Sequence, residues 1–476
     1  MTQIEGAWGV RLADGVRVHD RGRLLIGGSP LTILRLTSTA HAIAQHGHFT
    51  ITGPTSQKLA DRFLATNIAL PVLDATAPRS AAEITVVIPV RDRPAQLDRA
   101  LSALSGMHCL VIDDASHNRL AVAEVAARHD VEVIHLATNI GPAGARNAGL
   151  ARVSTPLVAF VDSDVTATRR DLLALSRHFT DPAVAMVAPR VTGTIRSRSP
   201  RWFERYDAAH SSLDLNDTPA CVHLGSVVSY LPSACLLART STLGDGFADD
   251  LRVGEDVDLV WRLVAQGHRV RHAPETTVGH DVRATLRDWL GRKIAYGTSG
   301  APLADRHPGA VAPAVLSPTL AIGAAALLTR RPRTLPVAVG AVALTALKVG
   351  RNLPEPMGRS RLALSLATRG LGWAVRQEAG LVTRHWWPAA LIAAVVSRRA
   401  RRTIATAVVI DTVLMLRASR GDGLAAPIRL AGHALDNLAY GTGLWCGAIR
   451  ARSAKALLPR CPGSPARVSA GRRAVR

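Results

Sequence analysis

The stretch ITVVIPV (residues 84–90) decides the fold of this 476-residue chain, because it is a continuous apolar run of strand length. Such a run is typical of a strand that is buried on both faces of a parallel sheet. The helical stretch AQLDRALSAL and a second strand, HCLVIDD, follow it, and strand and helix then alternate as far as LVAFVDSD. This βαβ spacing predicts an α/β domain with a mostly parallel, doubly wound sheet.

Polar residues follow the predicted strands, at the edge where sheets of this kind bind ligands. Among them, Asp162 and Asp164 are two residues apart, so in extended chain their carboxylates project to the same side. Two such carboxylates repel each other unless a cation lies between them. Mg²⁺ and Mn²⁺ prefer oxygen ligands and usually share their coordination shell with substrate phosphates. The spacing therefore predicts a divalent metal and a phosphate-bearing ligand at this edge.

A further acidic cluster, Glu255-Asp256-Val257-Asp258, opens the predicted helix EDVDLVWRLVAQG. Acidic residues in a first helical turn are also favoured by the helix dipole, so this cluster alone is a weak signal. The loop GPAGARN contains neither GxGxxG nor GK[ST], which argues against hydrolysis of a nucleoside triphosphate.

Taken in order, IPVRDR, DDAS, NIGPAGARNAG, FVDSD and GEDVDLVWRLVAQGHRVRHAPETTVGH resemble the successive motifs of the family 2 glycosyltransferases. The resemblance implies a GT-A fold, a UDP-sugar donor, and Mg²⁺ or Mn²⁺ as cofactor. More narrowly, the whole chain resembles the glycosyltransferases of the mycofactocin system. That resemblance implies transfer of glucose, with inversion, to the small peptide-derived premycofactocin, as a β-1,4-linked chain. The alternative is a rhamnosyl or other sugar transferase that acts on a cell-envelope lipid or glycan.

The resemblance also assigns roles to individual residues. One set matches the positions that bind the donor: Pro89, Val90, Asp92, Asp113, Asp114, Asn139, Arg146 and Asp162. Asp164 matches the main metal ligand, while Asp162 and His280 match residues that complete the shell.

Asp256 is the candidate general base, since an inverting transferase needs a carboxylate to take the proton of the acceptor hydroxyl. Glu255 is the alternative, or the residue that orients the acceptor. The family's processive members carry a QxxRW motif that this chain lacks, which argues against long-chain polymerisation but leaves stepwise addition of several sugars open.

The formal charge of +22 is concentrated in the last third of the chain. From Arg330 onward there are 25 Lys and Arg residues against 5 acidic ones, so the preceding residues are nearly neutral, at +2. Interleaved aromatic residues and recognition motifs are missing there, which excludes nucleic acid as the expected partner. Apolar runs at 311–329, 335–350, 389–396 and 403–416 are bracketed by Arg, Lys or Trp. This composition favours association with the anionic cytoplasmic face of a membrane by shallow or marginally spanning hairpins. A soluble helical subdomain and multi-pass insertion are the alternatives.

These patterns predict four regions. Residues 1–80 form a small α+β, winged-helix-like domain that resembles the peptide-binding domains of ribosomal-peptide maturation systems; the alternative is a simple cap on the next domain. Residues 81–300 form the GT-A domain, 301–455 the α-helical membrane-associated region, and 456–476 a disordered basic tail. Five cysteines without a CxxC pair favour a reducing compartment, and the opening MTQIEGAWGVRLADGV predicts no secretory signal.

Overall fold

A computed structural model describes residues 8–352, 359–419 and 421–462 of the chain. These residues divide into two compact units. The first unit contains residues up to Arg196 together with His210–Val282, and the second contains Ser197–Ala209 and the described residues from Arg283 onward. The predicted basic tail lies mostly outside the described residues. The predicted boundaries at residues 80 and 300 stay predictions.

Residues 8–72 form two small antiparallel sheets and two helices around an apolar cluster that includes Trp8, Phe63 and Ile68. The sheet orders are β5-β1-β6 and β2-β3-β4. The elements are β1 (Gly9–Leu12), β2 (Arg17–His19), β3 (Leu24–Gly27), β4 (Thr32–Arg35), α1 (Ser38–Ala44), β5 (His48–Thr50), α2 (Pro54–Ala65) and β6 (Ala69–Val72). Strands of three or four residues are too short to show an alternating pattern, so these sheets are hard to predict from the sequence.

The central sheet of the first unit has nine strands within the described residues. They are β7 (Ile84–Val90), β8 (His108–Asp113), β9 (Glu132–His135), β10 (Leu157–Val161), β11 (Val165–Thr166), β12 (Val184–Thr194), β13 (Ala220–Cys221), β14 (Cys235–Arg239) and β15 (Arg269–Asp281). The intervening helices along the chain are α3 (Pro94–Ala103), α4 (Arg119–Arg128), α5 (Gly141–Leu150), α6 (Arg169–Ser176), α7 (Trp202–Ala209, in the second unit) and α8 (Glu255–Ala265).

The order β11-β15-β12-β14-β10-β7-β8-β9 makes this a mixed sheet, with β13 paired to β15. Strands β10, β7, β8 and β9 are mutually parallel, as the alternation of strand and helix predicted. Strand β14 runs antiparallel between β10 and β12, because the chain enters it opposite the carboxyl end of β10, where Cys235 pairs with Val161. Because these four strands are parallel, their carboxyl ends lie at one edge of the sheet, next to the end of the buried run Ile84–Val90. The candidate site lies at that edge.

The second unit is helical within the described residues. Its remaining helices are α9 (Leu286–Thr298), α10 (Gly300–Arg306), α11 (Pro318–Leu328), α12 (Leu335–Asn352), α13 (Arg359–Gly380), a π-helical turn (Leu381–His385), α14 (Trp387–Val396), α15 (Arg398–Ala418) and α16 (Ala426–Arg450). Only one helical stretch in the described residues, Pro332–Arg351, is long and apolar enough to cross a bilayer, with a mean hydropathy of 1.3. About a tenth of that stretch (11%) is buried.

Candidate active site

Asp162 and Asp164 directly follow β10, at the carboxyl edge of the sheet. The next strand, β11, pairs with β15 so that Val165 lies opposite His280. This pairing brings the His280 Nε2 atom to 3.5 Å from Asp164 Oδ1. The Arg93 guanidinium donates to Asp164 Oδ2 from the segment between β7 and α3. Asp164 is almost fully buried, whereas 29% of the Asp162 side chain is exposed and can contact a ligand.

Arg146 links Asp162 to the other acidic cluster. It lies on α5, and its side chain is only 3% exposed. Its Nη2 donates to Asp162 Oδ1 (2.5 Å), and its Nη1 donates to Glu255 Oε1 (2.9 Å). The guanidinium also lies over the ring of Phe247, 5.4 Å from its centroid. The resemblance matched Arg146 to a donor-binding position, and the structure places it as a buried bridge between two carboxylates.

Glu255 and Asp256 begin α8. The preceding Gly254 has a φ of +88°, a left-handed conformation that glycine adopts without strain. Burial, followed by repulsion from Asp256, raises the pKa of Glu255 to about 7, although Arg146 opposes the shift. Asp256 Oδ2 accepts from the Ser233 backbone N–H (3.0 Å) and Oδ1 accepts from that of Val257 (2.8 Å). Burial also raises the pKa of Asp256, so both carboxyls hold a proton more readily than ordinary side chains do.

The ends of β7 and β8 present a second group of predicted residues. Pro89 and Val90 are the last two residues of β7, and Asp92 follows with a φ of +54°. Both oxygens of Asp92 accept hydrogen bonds from His117, from its backbone N–H (2.7 Å) and from Nδ1 (2.8 Å). The bond from the His117 side chain is the main reason why the pKa of Asp92 is lowered.

The neighbouring carboxylates Asp113 and Asp114 face different partners. Asp113 is fully buried and accepts from Ser116 N–H (3.0 Å) and from His135 Nδ1 (2.7 Å). Asp114 accepts from the backbone N–H groups of Ile140 (2.8 Å) and Gly141 (3.0 Å), at the start of α5. The Asn139 side chain, also predicted to bind the donor, donates to Asp114 Oδ2 at 3.0 Å. Asp114 and Asn139 therefore fix the amino-terminal end of α5, the helix that carries Arg146.

Asp114→Ala is expected to lower the free energy of unfolding by about 2 to 3 kcal/mol, because it leaves the buried N–H of Gly141 and the half-buried N–H of Ile140 without an acceptor. Urea denaturation followed by circular dichroism measures the change. Replacement of the exposed Asp74 by Ala is the control and should leave the midpoint within experimental error. An equal shift in both variants would contradict the role of Asp114.

The structure thus brings together Asp162, Glu255 and Asp256 around Arg146, and Asp164 with His280. Three further residues at this edge were not predicted: Arg93, which contacts Asp164; Phe247, which lies under Arg146; and Ser233, which contacts Asp256. Arg93 is the last residue of the motif IPVRDR, so the sequence places it next to the sheet edge. Its partner Asp164 could not be predicted, because it lies 71 residues away in the chain. Arg262, on α8, donates to Asp258 (2.8 Å) and to the Gly246 carbonyl (2.5 Å).

Comparison with known proteins gives the family of this chain. The family model "Glycosyl transferase family 2" matches residues 85–230. A curated "Pre-mycofactocin glycosyltransferase" from Mycobacterium tuberculosis is 40% identical over 474 residues, which cover 96% of this chain and 99% of that protein. This chain belongs to the pre-mycofactocin glycosyltransferase family. The GT-A fold and the hexosyltransferase activity that the motifs predicted are therefore confirmed.

More distant similarities are limited to part of the chain or to low identity. An N-acetylglucosaminyltransferase from Rhizobium sp. (strain N33) is 25% identical over 236 residues, which cover 45% of this glycosyltransferase and 52% of that protein. A solved mannosyltransferase from Pyrobaculum calidifontis, in complex with GDP-mannose and Mn²⁺, is 15% identical. The superposition has a TM-score of 0.40 and covers 76% of this chain and 87% of the mannosyltransferase.

Proposed function

We propose that this enzyme transfers glucose from UDP-glucose to premycofactocin, with inversion, and adds several glucoses through β-1,4 links. The observation that carries the proposal is the 40% identity to the pre-mycofactocin glycosyltransferase along nearly the full length of both proteins. The exposed oxygen-bearing side chains at the strand ends, Asp92 and Asp162, supply acceptors for the donor's ribose and base. The proposed acceptor is derived from a peptide, and the amino-terminal region resembles peptide-binding domains. That region is therefore a candidate to bind the acceptor.

Asp256 accepts the proton of the acceptor hydroxyl as that oxygen attacks the anomeric carbon from the face opposite the diphosphate. The backbone N–H groups of Ser233 and Val257 fix the orientation of its carboxylate. Glu255 stays engaged with Arg146, so Asp256 is the better placed of the two to take a proton from substrate. Glu255 keeps Arg146 in position and, through it, Asp162.

We propose that the residues at the end of β10 hold a divalent cation. Within the described residues, no three or more His, Cys, Asp or Glu side chains converge in a ready-made metal cage. Mg²⁺, however, is commonly held by one or two carboxylates, with substrate phosphates and water completing its octahedron. We therefore propose Asp164 as the main protein ligand, with His280 beside it and Asp162 two residues away as the residues that would complete the shell around a bound ion. A bound ion would neutralise charge on the departing UDP, and Arg93 supplies further positive charge at the same carboxylate.

The proposal is tested by incubating the purified enzyme with premycofactocin, MgCl₂ and UDP-glucose, and following the products by mass spectrometry. The expected products differ by successive hexose masses, and proton coupling at the anomeric position should show a β-linkage. Parallel reactions with dTDP-rhamnose and with a membrane-lipid extract test the alternative transferase, which the exposed apolar side chains of the second unit favour. Transfer to lipid but not to premycofactocin would contradict the proposed acceptor.

We also propose that the second unit holds the enzyme at the cytoplasmic face of an anionic membrane. Side chains along α12 and α14 are apolar and exposed, among them Leu347 at 62% and Val396 at 81%. Arg398, Arg399, Arg401 and Arg402 are exposed immediately after α14, where they can meet lipid phosphates. Exposed apolar helices next to basic turns are typical of segments that lie in a bilayer interface.

The membrane proposal predicts co-sedimentation with vesicles that contain phosphatidylserine, and release as NaCl increases from 0.1 to about 1 M. Replacing the four arginines between 398 and 402 by Gln should weaken partitioning about 100-fold or more, at about 1 kcal/mol per well-placed charge. Gln at the exposed Arg17, Arg21, Arg23 and Arg35 removes the same charge from the first unit and is the matched control. Equal loss in both variants would contradict a specific role for the helical unit.

A further inference from the structure

Residues 222–233 make up nearly all of the loop that connects β13 to β14, and this segment approaches the proposed base. Its last residue, Ser233, donates its backbone N–H to Asp256 at 3.0 Å. Trp261, on the same helix as Asp256, donates its indole N–H to the Ser229 carbonyl at 2.7 Å. The loop is thus attached at two points to α8, the helix that carries the proposed base Asp256. The position of the loop therefore affects where an acceptor can bind.

The other end of this loop is held by the amino-terminal region, through Asn67. Asn67 Oδ1 accepts from the Cys221 backbone N–H (2.6 Å), and Nδ2 donates to the Cys221 carbonyl (3.0 Å). Nδ2 also donates to the Ser29 carbonyl at 2.8 Å. Cys221 is the last residue of β13, which among the described residues pairs with β15 alone, so the Asn67 amide takes the place of a neighbouring strand. Backbone groups that would otherwise be buried without partners are satisfied in this way.

The residue type at position 67 suits this task. Asn67 lies two residues after α2 with a φ of +53°, a conformation that Asn and Gly adopt far more readily than other residues. Asn, unlike Gly, also carries a donor and an acceptor at the end of one short side chain. The neighbouring Phe63, Leu64 and Ile68 are completely buried, so the backbone of Asn67 is fixed by the core of the amino-terminal region.

Other contacts attach this segment, and the neighbouring strand β15, to residues 8–72. The Ser29 hydroxyl oxygen accepts from the backbone N–H of Val227, in the middle of the loop, at 2.7 Å. Asp61 accepts from Arg269, at the start of β15, at 2.8 Å. Cys221 is also buried in the apolar cluster of the amino-terminal region, beside a cavity of about 310 Å³. Hydrogen bonds and apolar packing together therefore fix the position of Cys221, and the hydrogen bonds supply the directional part of that attachment.

We propose that Asn67 is a positioning residue for acceptor binding, which acts through Cys221 and the loop at 222–233 on the surroundings of Asp256. The amino-terminal region then sets the affinity for the acceptor, whereas donor binding depends on other elements. The donor carboxylates Asp113 and Asp162 are held by His135 and Arg146, outside that region. The proposal rests on the proposed function, in which Asp256 faces the acceptor hydroxyl.

The test compares Asn67→Gly and Asn67→Asp with the wild-type enzyme. Gly keeps the left-handed backbone but removes the amide, and Asp places an oxygen against the Cys221 and Ser29 carbonyls. We expect the KM for premycofactocin to rise about tenfold in both variants, while the Kd for UDP, measured by calorimetry, changes less than about twofold. Ser29→Ala, at the exposed contact with Val227, should raise the acceptor KM about two- to threefold, which is a smaller change in the same direction.

Thr37→Ala is the matched control, because it removes the N-cap of α1 in the same region without touching the loop. It should lower thermal stability and leave the acceptor KM unchanged. Equal acceptor KM values in the control and in the Asn67 and Ser29 variants would overturn the proposal, as would a parallel loss of UDP affinity. Should the Asn67 variants fail to fold, an unchanged acceptor KM in Ser29→Ala alone would overturn it. A failure of the proposed function would be seen separately, as absence of transfer by the wild-type enzyme.

Discussion

Asp256→Asn should reduce glucose transfer by about 10²- to 10⁴-fold, the range by which a positioned base accelerates a reaction. The amide is nearly the same size as the carboxylate, and its oxygen can still accept from Ser233. It cannot take a proton from the acceptor hydroxyl. Since Asp256 does not hold the nucleotide in the proposed arrangement, the Kd for UDP should remain within about twofold of the wild-type value. Steady-state rates and calorimetry with UDP measure the two quantities.

Glu255→Gln is the matched control on the adjacent residue. It removes the charge that Arg146 neutralises but leaves the Asp256 carboxylate in place, so a measurable rate should survive.

The raised pKa values of both carboxyls also predict a pH dependence. A base must be unprotonated, so kcat should fall as the pH decreases through these raised pKa values. Removing the neighbouring carboxylate should move that acid limb to lower pH. Full activity of Asp256→Asn, or a collapse of UDP affinity in it, would assign Asp256 a different role.

Local pattern was sufficient for much of this site. The apolar run at 84–90 and the strand–helix alternation predicted the parallel strands, and the strand ends then located Asp92, Asp113, Asp162 and Asp164 at one edge. These inferences need only the periodicity of side chains and the geometry of βαβ units. The grouping of Asp162 with Asp164 is likewise local, since two residues separate their positions.

Contacts between distant segments were not predictable in the same way. The bond from Arg146 to Glu255 joins residues 109 positions apart, and the bonds from Asn67 to Cys221 join residues 154 apart. In a single sequence, Arg146 could pair with many acidic residues. The Asn67 side chain could likewise bind the backbone of many residues, so neither contact can be identified from the sequence. Strand β14 was missed as an antiparallel strand for a similar reason: an apolar run predicts a buried strand but not its direction.

Asp164→Asn should abolish metal-dependent turnover, with a loss of at least about 100-fold, because a carboxylate is the ligand that hard divalent cations prefer. The substitution removes charge with little change in volume. It leaves His280 and Asp162 in place, but an imidazole and one carboxylate form a weaker site for Mg²⁺ than two carboxylates do. The hydrogen bond from Arg93 also loses its ionic partner, and the segment between β7 and α3 becomes less firmly held.

Two measurements separate a metal ligand from a merely structural carboxylate at this position. Titration of the activity with Mn²⁺ should show saturable stimulation of the wild-type enzyme and almost none of Asp164→Asn. Electron paramagnetic resonance of Mn²⁺ with UDP present should show weaker binding of the ion by the variant, independently of turnover. Asp98→Asn, at an exposed pair with Arg128, removes the same charge far along α3 and should change neither quantity. Wild-type Mn²⁺ affinity in Asp164→Asn would place the ion on other ligands, because a residue that coordinates the metal cannot lose its charge without weakening the site.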